Sequence, residues 1–280
     1  MSDLYAVMGN PINHSKSPQI HTEFAEQTEQ NLVYSAIQVP LDSFVAEVDK
    51  FFKNGKGLNI TVPFKEQAWQ YADSYSSRAL RAGAVNTLIK KEDGSVHADN
   101  TDGVGMVRDI AVNHQTPMKN KRILVLGAGG AVRGILEPVL EEKPAKLVIA
   151  NRTVEKAQAL AEDFQGISEV TELSGCGFAD LAELCKILPF DLIINGTSAS
   201  LSGDLPPLPD SIVGIETVCY DMMYGAHTTV FNQWATGLNA AKTIDGLGML
   251  VEQAAESFTL WRGVRPDTQS VIAGIREKLV

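Results

Sequence analysis

The chain has 280 residues, is 44% hydrophobic and carries a formal net charge of −10. That length exceeds the usual size of a single core, so two cores are expected, and the acidic balance argues against nonspecific nucleic-acid binding, although an arginine-lined phosphate pocket can sit in an acidic protein. No run of about 18 apolar residues occurs and no basic stretch followed by an apolar one opens the chain, so a cytoplasmic protein that neither spans a membrane nor is secreted is expected.

Apolar strands alternate with amphipathic helices from the first residues, the pattern of parallel sheets covered on both faces. Strands are predicted to begin near Tyr5, Val33, Gly57, Ala84 and Val96, then near Ile123, Leu147, Val170, Asp191, Thr217 and Ala241. After the first strand, Asn13-His14-Ser15-Lys16-Ser17-Pro18 precedes a helix, with Ser17 as N-cap and Pro18 at the first helical position. A cap leaves Ser15 unaccounted for, and two hydroxyls beside free helix amides suit a carboxylate. In Asn59-Ile60-Thr61-Val62-Pro63-Phe64-Lys65 the period of two places Asn59 and Thr61 on one face of a strand end, with Ile60 and Val62 toward the core. Lys65 then opens a helix, where its charge opposes the helix dipole. Asn86 is a polar side chain within an apolar strand starting at Ala84, and Asp93-Gly94 is a hairpin turn signal that makes the first sheet mixed. Asn100-Thr101-Asp102-Gly103 opens a linker helix. Ser15, Ser17, Asn59, Thr61, Lys65, Asn86 and Asp102 are short or charged polar groups at strand ends and helix starts. In an open α/β sheet such positions converge beyond the carboxyl ends of the strands, and this set suits a small, hydroxylated carboxylate.

At Ile123-Leu124-Val125-Leu126-Gly127-Ala128-Gly129-Gly130-Ala131 a buried strand breaks into glycines, the arrangement of a dinucleotide site: a tight turn, close backbone approach to a pyrophosphate, and helix amides that face it. The third glycine of the usual fingerprint falls at Val132. The next strand ends in Asn151-Arg152-Thr153 where an NAD site usually has an acidic residue, so a 2′-phosphate and NADP are favoured. Cys176, Cys185 and Cys219 lack ligand spacing and are expected to be buried thiols, with no metal. Glu137, Glu141 and Glu142 are expected on a solvated helix face. Leu247, Leu250, Val251, Ala254, Ala255, Phe258 and Trp261 recur at helical spacing, the mark of a helix that returns to pack on the first domain. The expected organisation is a mixed, mainly parallel α/β substrate domain over 1–102, a Rossmann-type NADP domain over 103–245, and C-terminal helices over 246–280 that pack back on the substrate domain and leave a cleft between the two.

Eight motifs, in order along the whole chain, resemble the shikimate dehydrogenases: Ser15-Lys16-Ser17-Pro18, the run Asn59 to Lys65, Gly83-Ala84-Val85-Asn86-Thr87, Asn100 to Gly103, Gly127 to Ala131, Asn151-Arg152-Thr153, Tyr220-Asp221-Met222-Met223-Tyr224 and the run Asp245 to Gln253. The resemblance implies reversible NADPH-dependent reduction of 3-dehydroshikimate to shikimate, on the route to chorismate and the aromatic amino acids. It implies that Ser15 and Ser17 hold the substrate carboxylate and that Asn59, Thr61, Asn86, Asp102, Tyr224 and Gln253 surround the ring, with Lys65 catalytic and paired with Asp102. It further implies that Gly127, Ala128, Gly129, Gly130 and Ala131 cradle the pyrophosphate, that Asn151, Arg152, Thr153, Val154, Glu155 and Lys156 meet the adenosine phosphate, and that Met222, Gly246 and Met249 flank the nicotinamide. The expected partner is a small molecule, with no nucleic acid or membrane, and the chain is expected as a monomer or homodimer. Three alternatives remain open at this point: a quinate/shikimate dehydrogenase with relaxed NAD/NADP use, against which Asn151-Arg152-Thr153 argues; a non-catalytic dinucleotide-binding sensor, which would have no reason to keep Lys65, Asp102 and Gln253 together; and a Rossmann-fold methyltransferase using a different nucleoside, which the arginine-bearing second strand disfavours.

Overall fold

In the computed structural model, which describes residues 2–197, 199 and 203–279, the apolar runs form two six-stranded sheets. The chain divides into a first unit, Met1–Gly105 with Leu250–Gly274, and a second, Met106–Met249 with Ile275–Val280.

The first unit contains β1 (Asp3–Gly9), α1 (Ser17–Gln27), β2 (Leu32–Gln38), α2 (Phe44–Phe51), β3 (Gly55–Ile60), α3 (Lys65–Tyr71), β4 (Ser74–Tyr75), α4 (Ser77–Ala82), β5 (Thr87–Lys90) and β6 (Val96–Asp99). Its sheet order is β2-β1-β3-β5-β6-β4. β1 is parallel to β2 and β3, β5 is antiparallel to β3 and β6, and β4 is parallel to β6, so the sheet is mixed. The turn between β5 and β6 has Gly94 at φ 88 and Asp93 accepting from Ser95 N at 2.9 Å, as the Asp-Gly signal requires. One sheet face packs Ala6, Met8, Leu58 and Ile60 on Phe44, Val48, Phe64 and Ala68. The other carries Tyr5, Val7 and Tyr34 under Trp261. Each fully buried side chain of this size contributes roughly 1.5–3 kcal/mol.

Four sequence expectations need correction. Val62 is 62% exposed, because β3 ends at Ile60 and Phe64 N closes a turn on Thr61 O at 3.0 Å, which ends the alternation. Asn86 precedes β5 rather than lying in it, since ladder pairing starts at Thr87 opposite Asn59. Ser17 is the first residue of α1 and Lys16 the cap position, because Ile20 N already bonds Lys16 O at 3.0 Å. Glu137 is buried, since α6 (Gly130–Glu141) is covered over most of its surface. The two-residue β4 was not foreseen; it is too short to show a period.

The second unit's sheet has order β12-β11-β10-β7-β8-β9, all parallel, with β7 (Arg122–Leu126), β8 (Lys146–Asn151), β9 (Glu172–Gly177), β10 (Leu192–Asn195), β11 (Val218–Asp221) and β12 (Lys242–Asp245). Both faces are covered, which explains continuous rather than alternating apolar runs. Ile123, Val125, Leu147 and Ile149 face α6 and α7 (Val154–Asp163). Leu124, Leu126, Val148 and Ala150 face Leu181 of α8 (Leu181–Leu184) and Phe231 of α9 (Val230–Gly237). Three helices divide between the units by residue number: α5 (Asp102–Arg108), α10 (Leu247–Arg262) and α11 (Gln269–Lys278). Among the described residues no helix is long and apolar enough to cross a membrane, and no group of three His, Cys, Asp or Glu is placed to hold a metal ion.

Candidate active site

In the first unit the strand order reverses at β1, whose neighbours are β2 and β3, and polar residues follow both β1 and β3 at their carboxyl ends. Ser15 and Ser17 come after β1; Thr61 and Lys65 come after β3. Lys65 is the first residue of α3, and its Nζ donates to Asp102 Oδ2 at 2.5 Å. Their side chains are 31% and 20% exposed, open enough to meet a ligand. Asp102 begins α5, where a carboxylate is favoured by the helix dipole and its own N–H bonds Asn100 Oδ1 at 3.1 Å.

Asn86 organises this pair. Its Nδ2 donates to Asp102 Oδ1 at 2.8 Å, Thr101 Oγ1 at 2.9 Å and Gln253 Oε1 at 3.3 Å, while its Oδ1 accepts from Thr101 N at 2.9 Å. Gln253 on α10 is held from its other end by Nε2 donating to Leu250 O at 2.8 Å. Asn59 is 7% exposed and its amide is fully used: Oδ1 accepts from Tyr34 Oη at 2.7 Å, and Nδ2 faces Asn86 O, Thr87 Oγ1 and Ser257 Oγ at 3.1, 3.2 and 3.1 Å. Asn59, Lys65, Asn86, Asp102 and Gln253 are thus brought together by direct contacts or through one another. Ser17 joins through its hydroxyl beside Tyr34; burial pushes the Tyr34 phenol up and Ser17 opposes it. Ser15 Oγ accepts from Ser17 N at 3.3 Å, and the Thr61 methyl lies against Gly9.

His21 stacks on Tyr34 with ring centroids 4.2 Å apart and planes 5° apart. It is 1% exposed, and neither ring nitrogen has a hydrogen-bond partner among the described residues. Burial pushes its imidazole down to about 3. Tyr34, Thr87, Thr101, Ser257 and His21 were not singled out from the sequence. Thr87 and Thr101 stand inside quoted motifs without a role of their own, and Ser257 is a hydroxyl four residues after Gln253 on a helix otherwise lined by Ala254, Ala255 and Phe258.

In the second unit β7 and β10 are neighbours where the strand order reverses, and each is followed directly by a glycine, Gly127 and Gly196. Gly127 has φ 105, and a Cβ there would lie 3.2 Å from Gly196 O. By contrast, a Cβ on Gly129 or Gly130 would meet nothing within 4 Å. Packing does not demand those two glycines, so the open space before the amino end of α6 fits a pyrophosphate. Val132, at the third-glycine position, is fully buried, and a Cβ on Gly196 would come within 2.5 Å of it. The missing bulk has moved from the helix to the neighbouring strand end. Asn151 ends β8 and its Nδ2 holds Thr153 O at 3.0 Å. Arg152 is exposed, with no ion pair among the described residues. Val154 begins α7 and packs beside Gly177, with Glu155 and Lys156 exposed on the same turn. Ala128 packs partly on the core, and Ala131 is exposed.

Met222 and Met249 are partly buried against the same core cluster. A Cβ on Gly246 would lie 2.2 Å from Met222 O, so local packing alone requires that glycine. Burial and the Asp245 carboxylate both push the Tyr224 phenol up. Asn195, which stands in no quoted motif, and Asp221, which stands in the run Tyr220 to Tyr224, are fully buried at the ends of β10 and β11, where Asp221 Oδ1 accepts from Asn195 Nδ2 at 3.2 Å and Met223 N at 3.1 Å. Cys185 and Cys219 are buried as expected, while Cys176 is only half-buried; burial raises the Cys176 thiol to about 11 and the Cys219 thiol to about 12, which disfavours the thiolate.

The model of the shikimate dehydrogenase substrate binding domain matches residues 7–88. That of shikimate / quinate 5-dehydrogenase matches 109–202, and that of the shikimate 5′-dehydrogenase C-terminal domain matches 246–273. A shikimate dehydrogenase (NADP(+)) from Marinobacter nauticus is 57% identical over 98% of both chains. The chain belongs to the shikimate dehydrogenase family. Among solved structures of similar fold, an Ael1 enzyme from Pseudomonas putida has a TM-score of 0.90 at 48% identity, covering 98% of each chain. Shikimate 5-dehydrogenase from Thermus thermophilus in complex with NADP(H) and shikimate has a TM-score of 0.84 at 31% identity, covering 99% of this chain and 100% of that one. The family's two-part α/β architecture, with a mixed sheet and a Rossmann-like sheet, is the one described above.

Proposed function

We propose that this chain catalyses the reversible NADPH-dependent reduction of 3-dehydroshikimate to shikimate, a step toward chorismate and the aromatic amino acids. The observation that carries the reading is the Lys65–Asp102 pair at 2.5 Å, held by Asn86 at the edge of a buried polar network. The relatives named above support it, since one is an NADP(+) enzyme and another is in complex with NADP(H) and shikimate. The first unit would hold the substrate and the second the cofactor.

Ser15 and Ser17 bind the substrate carboxylate, and Thr61, Asn86, Asp102, Gln253 and Tyr224 surround the ring and its hydroxyls. Asn59, whose amide is saturated by protein, acts on the ring through Asn86. Gly127 to Ala131 receive the pyrophosphate, Asn151 to Lys156 the adenosine phosphate, and Met222, Gly246 and Met249 the nicotinamide. NADPH supplies the hydride. As hydride reaches the carbonyl carbon, the oxygen gains charge that a proton must neutralise. Lys65 Nζ donates that proton as ammonium, and in the reverse direction accepts it as free amine. Asp102 Oδ2 aims Nζ, and Asn86 occupies the other carboxylate oxygen, so the pair acts as a unit.

A steady-state assay with NADP and NAD against shikimate and quinate tests the reading. Turnover of shikimate with NADP preferred is the expected result. Comparable use of NAD and quinate would place the chain in the quinate-accepting branch, and cofactor binding without turnover would make it a sensor.

A further inference from the structure

Outside the Lys65–Asp102 pair, five charged side chains form an unbroken line through the first unit. Arg78 on α4 donates from Nε to Asp99 Oδ1 at 2.7 Å and from Nη2 to Asp99 Oδ2 at 2.9 Å, a two-pronged fit to a carboxylate. The same Nη2 donates to Glu256 Oε1 at 3.2 Å. Arg265 donates to Glu256 Oε2 at 2.9 Å and to Glu252 Oε2 at 2.6 Å, and the Thr268 hydroxyl donates to Glu252 Oε1 at 2.6 Å. Asp99 and Glu252 are 3% and 0% exposed, so bulk water cannot replace their partners.

Each end of this line adjoins a residue of the proposed site. Asp99 ends β6 and accepts from Asn100 N at 2.6 Å, and Asn100 Oδ1 in turn accepts from Asp102 N at 3.1 Å. Glu252 and Glu256 flank Gln253 on α10. A second contact comes from Gly105, three residues beyond Asp102, where a Cβ would lie 2.5 Å from Gln253 N and 2.8 Å from its Cα. The start of α5 and the Gln253 turn of α10 therefore touch backbone to backbone. Glycine contact limits their approach, and the Arg78 bridge limits their separation.

We propose that Arg78 is a positioning residue for the reaction. By bridging Asp99 and Glu256 it fixes Asp102 relative to Gln253, and with them the direction in which Lys65 is held. The inference rests on the proposed roles of Lys65 and Asp102. A network that serves stability alone is the competing account, and kinetics separates the two.

Arg78→Met keeps much of the side-chain stem and removes the fork. At a temperature where circular dichroism shows it folded, it is expected to bind NADPH as the unaltered enzyme does. Its kcat for shikimate oxidation is expected to fall on the order of 10²-fold, the cost of a small misplacement of reacting groups, with a displaced pH profile. Arg78→Lys restores the charge without the fork and recovers part of the rate. If Arg78→Met fails to fold, Glu256→Gln carries the same test with the same readouts. A variant with a lower melting temperature but unchanged kcat and pH profile overturns the proposal, as does a raised KM with unchanged kcat. Unaltered enzyme that binds NADPH but does not oxidise shikimate sinks the functional reading itself, a result distinct from either.

Discussion

The candidate residues of the two units are held by opposite means. In the first unit the candidate residues are side chains, and most are already bonded to one another: Asn86 alone contacts Thr101, Asp102 and Gln253. In the second unit the glycine turn offers backbone and empty space, with nothing within 4 Å of a Cβ on Gly129 or Gly130. A small hydroxylated substrate needs donors fixed in direction, and a prepaid hydrogen-bond network holds them so. A pyrophosphate needs room and several N–H groups at once, which a helix start supplies without any side chain. Substitutions should accordingly propagate through neighbours in the first unit and act by bulk alone in the second.

The strongest test of that contrast is Lys65. Lys65→Ala is expected to fold, bind NADPH normally and lose on the order of 10² to 10⁴ in kcat, the range for general acid–base catalysis. Solvent reaches Asp102, so leaving it without its partner should cost little stability. Lys65→Met should behave alike, which separates the amine from the bulk of its stem. Near-normal kcat with a raised KM would make Lys65 a binding residue and return the proton to Asp102 or an ordered water.

The same contrast governs what could be read from sequence. The glycine turn and the second strand are local signals, and β7 and β8 begin within a residue of their expected starts. Lys65 was legible because a positive charge at a helix start is odd for structure alone, Asn86 because it is polar amid an apolar run, and Asp102, an ordinary helix-start residue by itself, only as one of that polar set. The network behind them was not. Tyr34 and Ser257 reach Asn59 from 25 and 198 residues away, separations that no periodicity registers. Val62 departs from the alternation because β3 ends at Ile60, and Glu137, though charged, is buried because α6 is covered on most sides.

Stacked on Tyr34 beside the network, His21 gives a test by pH. Its folded imidazole is pushed down to about 3 by burial, whereas an unfolded one takes a proton near 6.5. Stability is therefore complete above about pH 6.5 and is lost as pH falls toward 3, with a slope of up to about 1.4 kcal/mol per pH unit and a total of about 4 to 5 kcal/mol at most. His21→Phe keeps a ring against Tyr34 but cannot titrate. Denaturant unfolding at pH 7, 5.5 and 4.5 should show a shallower fall for the variant, and parallel profiles would mean that His21 does not carry the effect.

In the second unit, two glycines in one turn should fail for different reasons. Gly129→Val places bulk in open space, so the melting temperature should hold while NADPH affinity falls on the order of 10²-fold through lost bonds to charged oxygens. Gly127→Ala forces a side chain into φ 105 near Gly196 O, which should cost about 1 to 3 kcal/mol of stability. Calorimetric unfolding and cofactor titration on both variants check this, and equal stability losses would show that the space at Gly129 is not free.

The smallest expected effect is on cofactor choice. Arg152 is exposed at the end of β8, next to an Asn151 that is engaged in holding Thr153 O at 3.0 Å. With no carboxylate at that strand end, a ribose 2′-hydroxyl lacks its usual acceptor, and a 2′-phosphate finds a guanidinium that no acidic side chain of the described residues occupies. Arg152→Ala should weaken NADPH by about tenfold to a hundredfold, the worth of one or two hydrogen bonds to a charged group at a solvent-open position, and leave NADH nearly unchanged. Because the contact is exposed, the loss should shrink as ionic strength rises, while a Gly129→Val defect, being steric, should not. Equal losses for both cofactors, or a loss independent of salt, would take Arg152 out of the 2′-phosphate site and leave Lys156, exposed on the first turn of α7, as the next cation to test.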